Sequence, residues 1–241
     1  MELKKEFKRI LVISDLQEPC AHRDAYDFLK AVKKKYKPDL VVQIGDYCDF
    51  GTLSNFDIDP DYVSPKKELS LVKKATHKWQ KLFPKMYITM GNHEMRLYRK
   101  ALKAGFPVQV LRPFNEIVGA DKNWHFVEKL KVNWKKPHKR MFFVHTGSEA
   151  KKQGGIALRQ HAHAVHGHLH ANFWIKWNST ADALFFDMNV GCLIDDNAPV
   201  FKYNKQQSAR PILGCGLILN GLPLLVPMFL HKNGRWIRKL K

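Results

Sequence analysis

Five apolar runs of strand length punctuate the chain: Arg9-Ile10-Leu11-Val12-Ile13-Ser14, Leu40-Val41-Val42-Gln43-Ile44, Met86-Tyr87-Ile88-Thr89-Met90, Met141-Phe142-Phe143-Val144 and Ala162-His163-Ala164-Val165-His166. After the first, Ala25, Phe28, Leu29, Val32 and Tyr36 recur at helical spacing and stop near Pro38. After the second, Ser64 is placed to cap a helix that opens on Pro65. Val72, Ala75, Trp79 and Leu82 form its apolar stripe. A third helix is expected from His93 to about Ala104, stopped by Gly105 and Pro107.

The second half reads as strands, mostly antiparallel: Phe126 to Trp134, Met141 to Val144, Ala183 to Asn189 and Val200 to Tyr203. Asn220-Gly221, between the apolar runs Ile212 to Leu219 and Leu222 to Leu230, signals a tight hairpin. Strand–helix alternation followed by a strand-rich half predicts an α/β fold: two packed mixed β-sheets, a β-sandwich, flanked by helices. One domain over residues 1–241 is the simpler organisation, since no linker, low-complexity tract or repeat divides the chain.

Composition adds two points. Pro211 to Leu230 carries no charge and has the length of a membrane span, but the hairpin signal, Pro223, Pro227 and three glycines make it a buried hairpin instead. No membrane association is expected. The formal net charge is +19, with basic residues spread along most of the chain, and that balance favours a polyanionic partner, nucleic acid above all. Lys129 to Arg140 with Trp134, and Trp174-Ile175-Lys176-Trp177, interleave cations with aromatics in the manner of single-strand binders. Buried tryptophans beside snorkelling lysines give the same pattern. Cys20, Cys48, Cys192 and Cys215 form no C-x-x-C pair and fit reduced thiols. With an N-terminus lacking an apolar signal core, they predict a cytoplasmic protein.

The chemistry lies at the ends of the five apolar runs. They lead into Asp15-Leu16-Gln17, Gly45-Asp46-Tyr47-Cys48-Asp49, Gly91-Asn92-His93-Glu94, His145 and Gly167-His168-Leu169-His170. Adjacent strand ends converge on one crevice, so these groups read as a shared site. Of the 22 acidic residues, Asp15, Asp24, Asp46, Asp49 and Glu94 are expected in or near it.

These blocks, in this order over roughly residues 10 to 170, resemble the calcineurin-like metallophosphoesterases, whose pattern is D-x-H, G-D-x-x-D, G-N-H-[DE], a lone His and G-H-x-H. Four of the five match. The length and the D-L-Q-x-P opening are similar to phage-encoded members. The resemblance implies two divalent ions, with Mn ahead of Fe, Zn, Ni or Co, about 4 Å apart around a bridging hydroxide that attacks phosphorus. It also implies that Asp15 and His170 bind the first metal, Asp46 bridges both, and Asn92, His145 and His168 complete the second. His93 is then the catalytic histidine that stabilises the phosphoryl oxygen or protonates the leaving alkoxide, oriented by Asp49.

Gln17 departs from the pattern, standing where the family usually carries histidine. It ligates directly, or holds a ligand water, or yields to His22, which would supply the missing nitrogen. An oxygen in place of nitrogen moves the site toward harder ions such as Mn²⁺. Arg96, one helical turn after His93, either reaches a substrate phosphate or is a solvated helix residue. His22 is a second substrate-side candidate, with a helix-start role as its alternative. His161, His163 and His166 read better as surface or packing residues. Asn189 either borders the site or closes a turn, and Cys48 is expected to be buried behind the metals.

The activity expected is hydrolysis of phosphodiesters, with a nuclease on nucleic acid first. A phosphomonoesterase on protein or nucleotide phosphate comes second and a non-catalytic binding subunit third. The motifs are shared by the first two, and only the charge separates them.

Overall fold

Ile10 and Val12 point to one side of their strand, and Leu11 and Ile13 to the other, yet all four are fully buried. A strand with both faces covered needs a second sheet on one side and helices on the other. The computed structural model describes residues 1–55, 59–133, 140–145, 152–199, 201 and 209–240. Its regular elements in chain order are β1 (Glu2–Leu3), β2 (Arg9–Ile13), α1 (Ala25–Tyr36), β3 (Leu40–Ile44), α2 (Pro65–Leu82), β4 (Met86–Thr89), α3 (Glu94–Lys103) and α4 (Phe114–Val118). There follow β5 (Trp124–Val127), β6 (Leu130–Asn133), β7 (Arg140–Phe143), α5 (Gly155–Gln160), β8 (His163–His166), β9 (Trp174–Ser179), β10 (Leu184–Asn189), β11 (Gly214–Leu219) and β12 (Leu222–Pro227).

The strands form two mixed six-stranded sheets, ordered β12-β11-β2-β3-β4-β5 and β1-β6-β7-β8-β10-β9. Ile10, Val12, Val42 and Ile44 of one sheet meet Leu130, Val132, Phe143, Val165, Phe186 and Met188 of the other. On the outer side of the first sheet, Leu11, Ile13, Val41 and Ile88 pack with Phe28, Leu29 and Val32 of α1 and Val72 and Trp79 of α2. The two-residue period thus splits each central strand between two cores. On the second sheet, α5 covers Ala164 and Phe185 with Ile156 and Ala157.

Local signals set the element ends. Ser64 accepts a hydrogen bond from the Lys67 N–H at 3.4 Å, with Pro65 at the start of α2. Asn220 and Gly221, both at positive φ (49° and 87°), close the β11–β12 hairpin. Among the described residues, no helix is long and apolar enough to cross a membrane.

The second half is antiparallel at β6–β7, β9–β10 and β11–β12, as expected, and parallel at two further pairs. β7 pairs with β8, and β8 with β10, in parallel. The crossover through α5 imposes the first of these, since a connecting helix returns the chain in the same direction, whereas β8 and β10 are joined through β9, which runs antiparallel to β10. The run Phe126 to Trp134 is two strands, β5 and β6, in different sheets, and Trp134 lies outside the described residues. The strand expected over 200–203 also lies outside them, apart from Phe201. Trp174 to Trp177 belongs to the edge strand β9.

Candidate metal centre

Every motif sits just past the carboxyl end of a strand: Asp15 after β2, Asp46 after β3, Asn92 after β4, His145 after β7 and His168 after β8. β2, β3 and β4 are parallel neighbours, as are β7 and β8, so these ends collect along one rim of the sandwich. Chain reversal there is abrupt. Asp15, Gln17, Asp46 and His168 all adopt positive φ (47°, 47°, 49° and 68°), a conformation that non-glycine residues adopt mainly where their surroundings demand it. Gly45, at φ 65°, leaves room that a Cβ would fill at 2.7 Å from the His145 ring.

Three acceptors converge at one point. The Nδ1–H of His145 donates to the Ile44 carbonyl at 2.9 Å, so Nε2 carries the lone pair of the neutral ring. That Nε2 lies 3.0 Å from Asn92 Oδ1 and 3.1 Å from Asp46 Oδ2. Acceptor facing acceptor is repulsive unless a proton or a cation stands between them. Asp46 Oδ2 is buried and has no hydrogen-bond partner among the described residues. Ligand atoms of Asp46, His145 and His168 all lie within 4.8 Å of one another. The geometry fits a divalent ion.

Without the ion, a proton on His145 Nε2 takes that place. Burial alone would lower the pKa of His145, but the Asp46 and Asp15 carboxylates outweigh it and hold it at about 10. Burial raises the Asp15 and Asp46 carboxyls, yet the neighbouring imidazoles bring both below the usual carboxylate range. Burial and then His145 lower the pKa of His168.

A second group adjoins the first. Asp15 Oδ1 lies 2.9 Å from His170 Nε2, and its Oδ2 accepts from the His168 N–H at 3.0 Å and from the Ser14 hydroxyl. The Gln17 amide reaches the same place, its Nε2 3.4 Å from His170 Nε2 and its Oε1 buried without a partner. Half a turn about the last side-chain torsion would bring Oε1 to face His170 instead.

His93 stands at the edge of both groups, its Nε2 3.6 Å from Asp46 Oδ2. Its Nδ1 lies 2.8 Å from the Asp49 carbonyl and 3.2 Å from Asp49 Oδ1. Burial lowers its pKa, but Asp46 and Asp49 outweigh that and leave it raised. Arg96 curls back, donating through Nη1 to the Asp49 carbonyl at 2.9 Å and placing Nη2 3.1 Å from His93 Nε2.

His22 is not brought to the centre. Its Nδ1 accepts from the Asp24 N–H at 3.1 Å and its Nε2 donates to the Gly234 carbonyl at 3.1 Å, leaving no lone pair for a metal. It ties the C-terminal segment to the start of α1. Asp24 is likewise committed elsewhere, receiving a two-pronged contact from Arg235 at 2.7 and 2.8 Å. Of the other histidines, His163 accepts from the Phe186 N–H, His166 lies buried 3.1 Å from Asp187, and His161 is exposed beyond α5.

Two acids brace the ligand loops, Glu94, which closes the Gly91-Asn92-His93-Glu94 block, and Glu68, which no motif marks. Glu94, fully buried, accepts from the N–H groups of Gly91, Asp46 and Cys48 at 2.7–2.9 Å and so ties two ligand loops together. Burial and the Asp46 charge push its pKa up to about 7. Glu68 accepts from Gly51 N–H, Thr52 and the Tyr62 hydroxyl, and Tyr62 in turn lies 3.4 Å from Asp49 Oδ2. Asn189 borders the site from behind, donating to the Gly167 carbonyl at 3.2 Å.

The sequence model of a family described as calcineurin-like phosphoesterase matches residues 8–199. No curated protein matches the chain. Among solved structures, the chain is similar to Vps29 from Chaetomium thermophilum, with a TM-score of 0.51 at 13% identity over 97% of this chain and 94% of that one. Vacuolar Protein Sorting 29 from Cryptosporidium parvum gives 0.49 at 15% identity over 98% and 96%. The phosphoesterase Yfce from E. coli gives 0.46 at 14% identity over 95% and 96%. At such identities the likeness is one of fold.

Proposed function

Because the chain belongs to the calcineurin-like phosphoesterase family, we propose that it is a dinuclear metal-dependent phosphodiesterase acting on nucleic acid. The observation that carries the hydrolytic part is the convergence of Asp46, Asn92 and His145 acceptor atoms at 3.0–3.1 Å beside the Asp15–His170 pair. Asp15, Gln17, Asp46 and His170 would hold one ion, and Asp46, Asn92, His145 and His168 the other. Two divalent cations there supply neutralisation of phosphate charge and a nucleophilic water at neutral pH.

The protein's own part lies with His93, Asp49 and Arg96. Asp49 fixes the His93 ring through Nδ1 and leaves Nε2 at the edge of the centre. Nε2 and the Arg96 guanidinium together offer one anchoring point for a phosphoryl oxygen. As the ester bond breaks, His93 gives the departing alkoxide a proton.

Charge supports the choice of nucleic acid. Arg96, Arg99, Lys100 and Lys103 follow His93 along α3, within a chain of net charge +19. Trp177 remains 42% exposed beside Lys176. One observation favours a second reading, a phosphomonoesterase: the cavity of about 650 Å³ beside His168 and His170 suits a single small ester.

Incubation of the Mn²⁺-loaded protein with p-nitrophenyl phosphate and with labelled single- and double-stranded DNA and RNA tests the choice. Cleavage of polymer is the expected result. Turnover of the monoester alone would establish the second reading, and no turnover with any metal would indicate a binding subunit.

A further inference from the structure

The cavity next to the metal centre has a composition unlike the rest of the surface. It holds about 650 Å³ and opens beside His168 and His170. That exceeds what a phosphate group needs and lies within the range of pockets for small organic ligands, roughly 300–1,000 Å³. Its charged lining residues, Arg210 and Asp196, are one of each sign, in a protein whose net charge is +19. A cavity shaped for more phosphate backbone would be lined by cations, and among the described residues Arg210 is the one Lys or Arg in this lining.

What the lining offers is mixed. Ile194 and Phe201 are buried apolar residues at its wall. Asn172 presents a side-chain amide, a donor and an acceptor together, that has no hydrogen bond to protein among the described residues. The Asp196 carboxylate accepts from hydroxyl or amine groups, and the Arg210 guanidinium stacks flat against rings. A flat apolar face, a polar edge that both donates and accepts, and neighbouring hydroxyls are the features of a nucleoside.

We propose that this cavity seats the sugar and base of the nucleotide whose phosphate lies at the metal centre, with Asn172 and Arg210 as specificity-determining residues. The proposal rests on the nucleic-acid reading above and adds that recognition extends to a single nucleoside.

The test compares, on the Mn²⁺-loaded protein, kcat/KM for the p-nitrophenyl ester of thymidine 5′-phosphate with that for bis-p-nitrophenyl phosphate. Calorimetric binding of thymidine 5′-phosphate and of inorganic phosphate accompanies it. The nucleoside ester is expected to be preferred through a lower KM. Asn172→Ala and Arg210→Ala should each reduce the ratio of the two kcat/KM values by about tenfold, the order expected for loss of one hydrogen bond or one stacking contact. Equal kcat/KM for the two esters, or a ratio that neither variant changes, overturns the proposal. Failure of both esters to turn over would count against the hydrolytic reading itself. Binding then still decides the cavity: nucleotide affinity above that of phosphate, lost in Asn172→Ala, supports it, and equal affinities overturn it.

Discussion

The Arg96 guanidinium places Nη2 3.1 Å from Nε2 of His93, the ring nitrogen nearest the metal ligands. Guanidinium groups only donate, so His93 Nε2 is the acceptor and the proton sits on Nδ1, against Asp49. Arg96 therefore opposes protonation of His93, while Asp46 and Asp49 favour it. A phosphate that draws the guanidinium away frees Nε2 to take up a proton for the leaving group. His93→Ala should lower kcat by 10²–10⁴-fold, the usual contribution of general acid catalysis, with metal content unchanged. Arg96→Ala should raise KM and move the alkaline limb of the pH–rate profile upward, because the lost positive charge raises the His93 pKa. An unmoved limb would contradict the coupling.

Gln17 should decide metal preference. Its Oε1 is buried without a partner and its amide reaches His170. Gln17→His replaces a hard oxygen with an imidazole, so relative affinity should shift from Mn²⁺ toward Zn²⁺ and Co²⁺. Competitive metal loading measured by elemental analysis checks this. An unchanged order would show that Gln17 does not face the ion.

Metal binding should release a proton. With its pKa at about 10, against an ordinary 6.5, His145 is protonated at pH 7 in the metal-free protein, and a ligand must be neutral. Calorimetric Mn²⁺ titrations in buffers of different ionisation enthalpy should report about one proton released per chain from this residue at pH 7. The release should fall away as the pH passes 10. A titration indifferent to buffer would refute the assignment.

Glu18 should make stability fall between mildly acidic and neutral pH. Burial raises its carboxyl from 4.5 to about 6, opposed by the Trp79 N–H that donates to it at 2.6 Å. A carboxyl whose folded pKa lies above its unfolded value keeps its contribution below pH 4.5 and loses it as pH rises through 6. The shift corresponds to about 2 kcal/mol at 1.36 kcal/mol per unit. Urea unfolding from pH 4.5 to 8 should show that decline in the native sequence and less of it in Glu18→Gln. An equal slope in both would place the pH dependence elsewhere.

The fold was legible where periodicity was strong. The unbroken apolar run Ile10 to Ile13, the Ser64-Pro65 helix start and the Asn220-Gly221 hairpin each carry a local physical cause, and each is present. Parallel pairing of β7 with β8 was not legible, because direction is set by the α5 crossover and not by any residue in the strands. The division of Phe126 to Trp134 into two strands was hidden because no glycine or proline interrupts the run. At the site, residue types announced Asp15, Asp46, Asn92, His145, His168 and His170 as candidate ligands. Glu68 was not distinguished from other acids, because a carboxylate that braces backbone N–H groups looks like any glutamate until the loops come together. His22 illustrates the reverse: nearness in sequence to Asp15 suggested a ligand, but Gly234, more than two hundred residues away, takes its ring nitrogen.

The most direct test is hydrolysis of bis-p-nitrophenyl phosphate by metal-free protein as Mn²⁺ is added stepwise, with bound metal counted at each point. Two ions held by Asp15, Gln17, Asp46 and His170 and by Asp46, Asn92, His145 and His168 predict turnover that saturates at two equivalents and disappears on chelation. Full activity in the metal-free protein, or no turnover with two equivalents bound, would contradict the account.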